Sequence, residues 1–363
     1  MQVRVETLRE VLELVKPVVP RKATLKSTQY VLLRDGKAVA TDLDVAVELE
    51  VPVLEGEIII PHKDVLEALK RIPATELLTI GVEGKSLMLS WSRGKASFDA
   101  LDVEEFPPIP EVKGKEVSLD GDRLIKAMTF VLHYRCKDSS RPVLQGILLS
   151  LGQETEVVAA DGYRLAYQRL PLASPFERKA VVPGEAVKLL EHLWKRIPPA
   201  PEAEGSIVDR VLASRELRLI LEQDRVAFRF GRATVLAKLI EGEYPNYREI
   251  MPRDGDWPKV KFFAQDMERE VRRLRKVSST IRLSWENDTL RLWTNDGEKE
   301  AEATIQARAE APGRIALNAG YLLDYLKGRD GVVTMAVEKG NSPGVFRHAG
   351  APLVVIMPMY VQW

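Results

Sequence analysis

Three stretches decide the fold: ATDLDVAVELEV at residues 40–51, AADGYRLAYQRL at 159–170 and TNDGEKEAEATI at 294–305. Each sets an aspartate (Asp42, Asp161, Asp296) in a short turn after an apolar run and before an alternating one. Asp and Gly are favoured turn residues, and alternation at period two is the mark of a half-buried strand. The turn recurs at intervals of roughly 120 to 135 residues, about one third of the 363-residue chain. The wider second interval contains a Pro-rich insert, PPAPEAEG, at 198–205.

Two further pieces recur in the same order. The first is a β-branched run, a helix-opening residue and an amphipathic helix: IIIPHKDVLEALKRIP (58–73), AVVPGEAVKLLEHLWKRIP (180–198) and IALNAGYLLDYLKGRD (315–330). Pro61 and Pro183 stand where a proline is tolerated at a helix start, and Asn318 is placed to cap the third copy. The second is a strand running into an aromatic or methionine followed by proline: GKASFDALDVEEFP (94–107), GRATVLAKLIEGEYP (231–245) and APLVVIMPM (351–359). Each repeat also opens with a helical pattern, over Glu6–Lys16, Asp122–Arg135 and Gln265–Lys276. The expectation is an α+β chain of three similar domains, 1–115, 116–256 and 257–363, each with two helices packed on antiparallel sheets.

Composition narrows the function. The chain is 45% hydrophobic and 29% charged, which excludes disorder, and no apolar run reaches the roughly 20 residues that span a bilayer. The charged, amphipathic N-terminus reads as the first strand and helix rather than a signal peptide. One cysteine, Cys136, excludes a disulfide framework and suits a reducing cytoplasm. Lys+Arg 53 against Asp+Glu 53 excludes a uniformly basic nucleic-acid binder. Counted over the predicted helices the balance is positive, so the strands and loops are net acidic.

Signals for catalysis are sparse. Gly84-Lys85-Ser86 resembles the end of a phosphate loop, but Thr79 stands where its first glycine belongs and a strand-like run follows. His133 and Cys136 have ligand spacing without a second pair. Asp161-Gly162 reads as a turn rather than a catalytic aspartate. No catalytic residue, metal or cofactor is expected.

VVAADGYRLA, LIEGEYPNYREIMP and VVIMPM, with RKATL and the TDLD turn near the N-terminus, resemble the bacterial DNA polymerase III β subunit, the sliding clamp family. The resemblance spans all three repeats. It implies a head-to-tail homodimer closed into a ring, with helices lining the central hole. Such a ring is a non-catalytic processivity factor, cytoplasmic and nucleoid-associated. It encircles double-stranded DNA without reading sequence and tethers the replicative polymerase and the clamp loader through short docking motifs. It implies a partner-peptide pocket at Arg141, Leu144, Gly162, Tyr163, Arg164, Leu165, Pro245, Ile250, Val355, Met357, Pro358 and Met359. DNA contacts are expected at Lys22 and, on the matching loop of the second repeat, Lys137; helix position adds Arg272, Arg273, Arg275 and Lys276. The chain departs from the family pattern in its neutral charge, in LKSTQYVLL after Thr24, and in a tail, Tyr360–Trp363, beyond the MPM segment. A repeat-built interaction scaffold that never encircles DNA is the alternative.

Overall fold

A computed structural model of the chain describes residues 1–198, 215–251 and 257–363. The expected boundary near Asp256 and most of the insert at 198–205 lie outside the described residues. Two compact units emerge, Met1–Thr129 with Leu172–Glu241, and Phe130–Pro171 with Gly242–Trp363. They cut across the sequence repeats because sheet pairing does. In the first unit, Val45–Glu50 from the first repeat pairs antiparallel with Ala233–Lys238 from the second, Val47 opposite Val235. In the second unit, Arg164–Leu170 pairs with Leu353–Ile356, Leu165 opposite Val355.

The recurring aspartate turn is one structure in three copies. Asp42 Oδ1 accepts the backbone N–H groups of Asp44 and Val45 at 3.1 and 2.8 Å. Asp161 Oδ1 accepts those of Tyr163 and Arg164, both at 2.9 Å, and Asp296 Oδ1 those of Glu298 and Lys299 at 3.0 and 2.7 Å. In all three the aspartate N–H donates to the carbonyl three residues on at 3.1 Å. The residue after the aspartate has positive φ: Leu43 at 85°, Gly162 at 92°, Gly297 at 98°. Two copies use glycine for this left-handed backbone, and the first strains a leucine into it.

The described residues form six α-helices: α1 (Val5–Val15), α2 (His62–Leu69), α3 (Gly121–Leu132), α4 (Gly184–Trp194), α5 (Ala264–Leu274) and α6 (Ala319–Leu326). Helix α1 buries Val5, Leu8, Val11, Leu12 and Val15, the stripe that three- and four-residue spacing puts on one face. Pro61 and Pro183 occupy the N-caps of α2 and α4. The Asn318 side chain accepts from Gly320 N at 2.8 Å and Tyr321 N at 3.2 Å, capping α6 as its sequence position predicts.

The expectation of basic helices needs correction. Within the observed bounds, acidic residues outnumber basic ones. The cations counted with the helices stand just past their ends: Lys16, Lys70, Lys195, Arg275 and Lys327 are the C-cap residues of α1, α2, α4, α5 and α6. The physical reason is the helix terminus, where unpaired carbonyls and the negative end of the macrodipole favour positive charge. Side chains from elsewhere in the first unit satisfy several of those carbonyls. Arg9 Nη2 donates to Leu69 O and Ile72 O of the α2 end at 2.7 and 3.1 Å. The imidazole Nε2 atoms of His62 and His192 meet Leu12 O and Glu13 O of α1 at 2.8 and 3.2 Å. Gly84, the false phosphate-loop position, is a hairpin turn residue at φ 59° between strands Leu77–Glu83 and Ser86–Trp91.

Candidate docking site and basic surface

All twelve predicted pocket positions fall in the second unit, on four stretches of chain. The first stretch is the Asp161 turn. Its glycine is required by its positive φ, and an added Cβ would also displace the tip of the exposed Arg141 side chain, whose Nη1 would stand 2.6 Å away. Arg141 itself, exposed, leads into the short helix Pro142–Gln145 that carries the half-buried Leu144.

Arg164 is locked from all sides. Its Nε donates to Asp161 Oδ2 at 2.9 Å and its Nη1 to Asp324 Oδ2 at 2.8 Å. The guanidinium lies over the Tyr321 ring at 4.5 Å and the Tyr134 ring at 5.2 Å. Burial opposes its charge, but the hydrogen bonds to the two carboxylates outweigh it and hold the pKa above the ordinary arginine value. Burial pushes the Tyr134 hydroxyl up to about 12, so it stays neutral under the guanidinium. Arg164 therefore frames the site. Tyr163, next to it, is 58% exposed and stacks on Tyr321 with centroids 6.2 Å apart.

The segment from Pro245 to Ile250 is held by one carboxylate that the sequence did not single out. Glu156 Oε1 accepts from the Tyr167 hydroxyl at 2.8 Å, and Oε2 accepts from the Tyr247 hydroxyl at 2.9 Å and Arg248 Nη2 at 2.6 Å. Burial alone would raise the Glu156 pKa; hydrogen bonds from the two tyrosines and the nearby Arg248 charge bring it below the usual carboxylate value instead. Pro245 and Ile250 stay exposed at the two ends of this anchored segment.

The C-terminal stretch completes the group. Met357 N donates to Tyr163 O and Met359 N to Ala316 O, both at 2.8 Å. The first bond sets Met357 against the Asp161 turn and the second ties Met359 to the strand Gly313–Asn318, with Met359 37% exposed and Ile250 36%. The structure does not expose every predicted apolar wall: Leu165 and Val355 are opposite each other in the sheet and fully buried. In the tail, Tyr360 is 97% exposed, and Trp363 receives the Arg314 guanidinium over its ring at 4.8 Å. What results is a shelf of exposed aromatic and thioether groups with a guanidinium at one edge, suited to a short apolar peptide with a polar end.

The predicted DNA contacts are all exposed, but they differ in how free their charge is. On α5, Arg272 donates to Glu268 at 3.1 Å, and Arg273 Nη1 to both oxygens of Glu270 at 3.2 Å. Arg275 and Lys276, at the helix end, have no ion-pair partner among the described residues. Lys22 and Lys137 lie in loops. No group of three or more His, Cys, Asp or Glu placed to hold a metal occurs among the described residues. No helix there is long and apolar enough to cross a membrane.

Comparison with known proteins gives one answer. No family model matches the chain. The beta sliding clamp of Pseudomonas putida KT2440 is 28% identical over 380 residues, covering 98% of each chain. That of Pseudomonas aeruginosa PAO1 is 29% identical over 340 residues, 88% of each. Among solved structures, a DNA polymerase sliding clamp from P. aeruginosa with ligand superposes with TM-score 0.88, 26% identity and 99% of each chain covered. A P. aeruginosa clamp bound to griselimycin gives TM-score 0.87 with the same identity and coverage.

Proposed function

We infer that this chain belongs to the β sliding clamp family and works as a DNA sliding clamp, a non-catalytic processivity factor of DNA replication. One observation carries the reading: the likeness runs through 98% of the sequence and 99% of the fold, so the whole three-repeat architecture is shared and not one module of it. DNA and a DNA polymerase are its partners.

Two copies join head to tail and close into a ring around duplex DNA, in the cytoplasm at the nucleoid. Each copy contributes three domains, 1–115, 116–256 and 257–363. Lys22, Lys137, Arg275 and Lys276, with Arg272 and Arg273, face the phosphate backbone. Diffuse charge of this kind binds without preferring a register, so the ring slides. Arg141, Gly162, Tyr163, Pro245, Ile250, Met357, Pro358 and Met359 receive the short docking motif of the polymerase and clamp loader, with Leu144 and Arg164 behind them and Leu165 and Val355 as the sheet beneath. Tethering then holds the polymerase at high effective concentration near the primer end.

The test is topological. Loaded on nicked circular DNA, the protein survives a high-salt wash and is lost when the circle is linearised. Phosphate contacts alone weaken steeply with salt. Release from the intact circle by salt would overturn the ring.

A further inference from the structure

The strand Lys259–Phe263 alternates in burial. Val260 and Phe262 are buried on the side of α5, while Lys261 and Phe263 are exposed on the opposite face. Its neighbours continue that outer face. Lys261 stands opposite Arg308 on one side and Thr334 on the other, and Thr334 stands opposite Arg347. Directly opposed residues of antiparallel strands project from the same face. Arg308, Lys261, Thr334 and Arg347 therefore form one row across four strands. One step along, Phe263 is opposite Val332, and both are exposed, at 51% and 48%.

Two features of this strip run against stability. Like charges directly opposed across a sheet are destabilising, yet Lys261 and Arg308 face each other with no ion-pair partner among the described residues. Phe263 and Val332 gain a cross-strand contact of about 0.2–1 kcal/mol, yet about half of each apolar side chain stays in water. The carboxylates bordering the strip are engaged elsewhere: Glu310 accepts from Lys259 N at 3.0 Å, and Asp330 accepts from Gln265 at 2.9 Å. Local rules broken without a structural gain mark sites kept for function.

We propose that this outer strip is a second docking surface, separate from the Asp161 shelf, for an acidic peptide segment with an apolar anchor. Lys261 and Arg308 bind its carboxylates, and Phe263 with Val332 take an aromatic or aliphatic side chain. Two inter-strand spacings separate the Arg308 strand from the Val332 strand, roughly 10 Å, which an extended segment crosses in about three residues. The strip lies on the face away from α5. That it stays open while the ring holds DNA rests on the clamp reading above; binding in free solution does not.

The test uses the full chain and a fluorescein-labelled hexapeptide of two glutamates, phenylalanine, leucine and two glutamates, titrated by anisotropy at low salt. Lys261→Glu with Arg308→Glu is expected to weaken binding at least tenfold, and Phe263→Ala about fivefold. Met359→Ala should leave this binding unchanged. Conversely, the double charge reversal should leave a polymerase-derived docking peptide and clamp loading unchanged, so failure of the strip and failure of the shelf are read separately. The single change Lys261→Glu places opposite charges across the pair. It should raise the melting temperature while lowering hexapeptide affinity, which excludes misfolding as the cause. Undiminished hexapeptide binding by the doubly reversed protein would overturn the proposal. So would loss of that binding in Met359→Ala, which would place the peptide on the shelf. A strip that loses affinity for a short DNA duplex on charge reversal, but not for the hexapeptide, would also overturn it.

Discussion

The Arg141 guanidinium lies directly over Gly162, 2.6 Å from where a side chain would begin. The matching turn glycine of the third repeat, Gly297, has open space at that point. Both have positive φ, so alanine strains both by about 1 kcal/mol. Only at Gly162 must an arginine also move. Gly162→Ala should therefore weaken docking-peptide binding severalfold, while Gly297→Ala costs stability alone. Peptide titration beside denaturant melts of the two variants checks the contrast; equal effects on binding would refute it.

Leu43 holds the same backbone position with φ 85° and a side chain 57% exposed. Removing that side chain relieves a left-handed conformation at the cost of little buried area. Leu43→Gly is expected to be neutral or to stabilise the first unit by up to about 1 kcal/mol. A leucine-to-glycine change elsewhere on the surface normally destabilises, so the sign of the shift in a denaturant melt is the readout.

Leu165 and Met359 make opposite kinds of variant. Leu165 is 1% exposed and Met359 37%. Leu165→Ala should cost about 2–5 kcal/mol through a core cavity, so any loss of binding would be confounded with unfolding. Met359→Ala should leave the melting temperature nearly unchanged and still lower docking-peptide affinity. Unchanged affinity in this variant would remove Met359 from the site.

The Glu156 anchor gives a pH dependence of definite sign. A carboxyl whose folded pKa lies below its unfolded value contributes stability that is fully present above the unfolded pKa. That contribution is lost as pH falls through the folded one. With the Glu156 pKa lowered, the Pro245–Ile250 segment should hold through neutral pH and loosen only below about pH 4.5. Glu156→Gln keeps the shape but removes the charge facing Arg248, and should flatten that acid limb. Amide exchange at Tyr247 and Arg248 against pH follows it.

At the end of α5, Arg275→Glu with Lys276→Glu is a cleaner probe of the proposed DNA contacts than reversal of Arg272 and Arg273, whose partners Glu268 and Glu270 would be left facing new acids. The expected outcome is slower loading and lower processivity with an unaltered melting temperature. Full processivity would take this helix end away from the DNA.

Much of the fold was written in periodicity. The three aspartate turns, the two N-cap prolines and the Asn318 cap are local features, set by neighbours within three residues, and a linear reading reaches them. The amphipathic pattern runs past the helix ends, because Lys16, Arg135 and Lys276 continue it beyond the last helical residues Val15, Leu132 and Leu274. The site divides in the same way. Gly162, Ile250 and Met359 sit in distinctive segments, whereas Glu156 is a lone acid in the alternating run TEVVAA, and its partners Tyr247 and Arg248 lie about ninety residues away. Burial of Leu165 and Val355 depends on a strand pairing between two repeats, which no period within either one encodes.

Three turns with one hydrogen-bond pattern have a further consequence. The backbone that presents Tyr163 is common to all three copies and not particular to that one. What sets the Asp161 copy apart is its side chains: an arginine laid over its glycine and a tyrosine beside it, with the methionine segment hydrogen-bonded to the turn. If that copy receives a docking peptide as proposed, the turns at Asp42 and Asp296 are the same frame with other side chains, on which a second specificity could be written without disturbing the first.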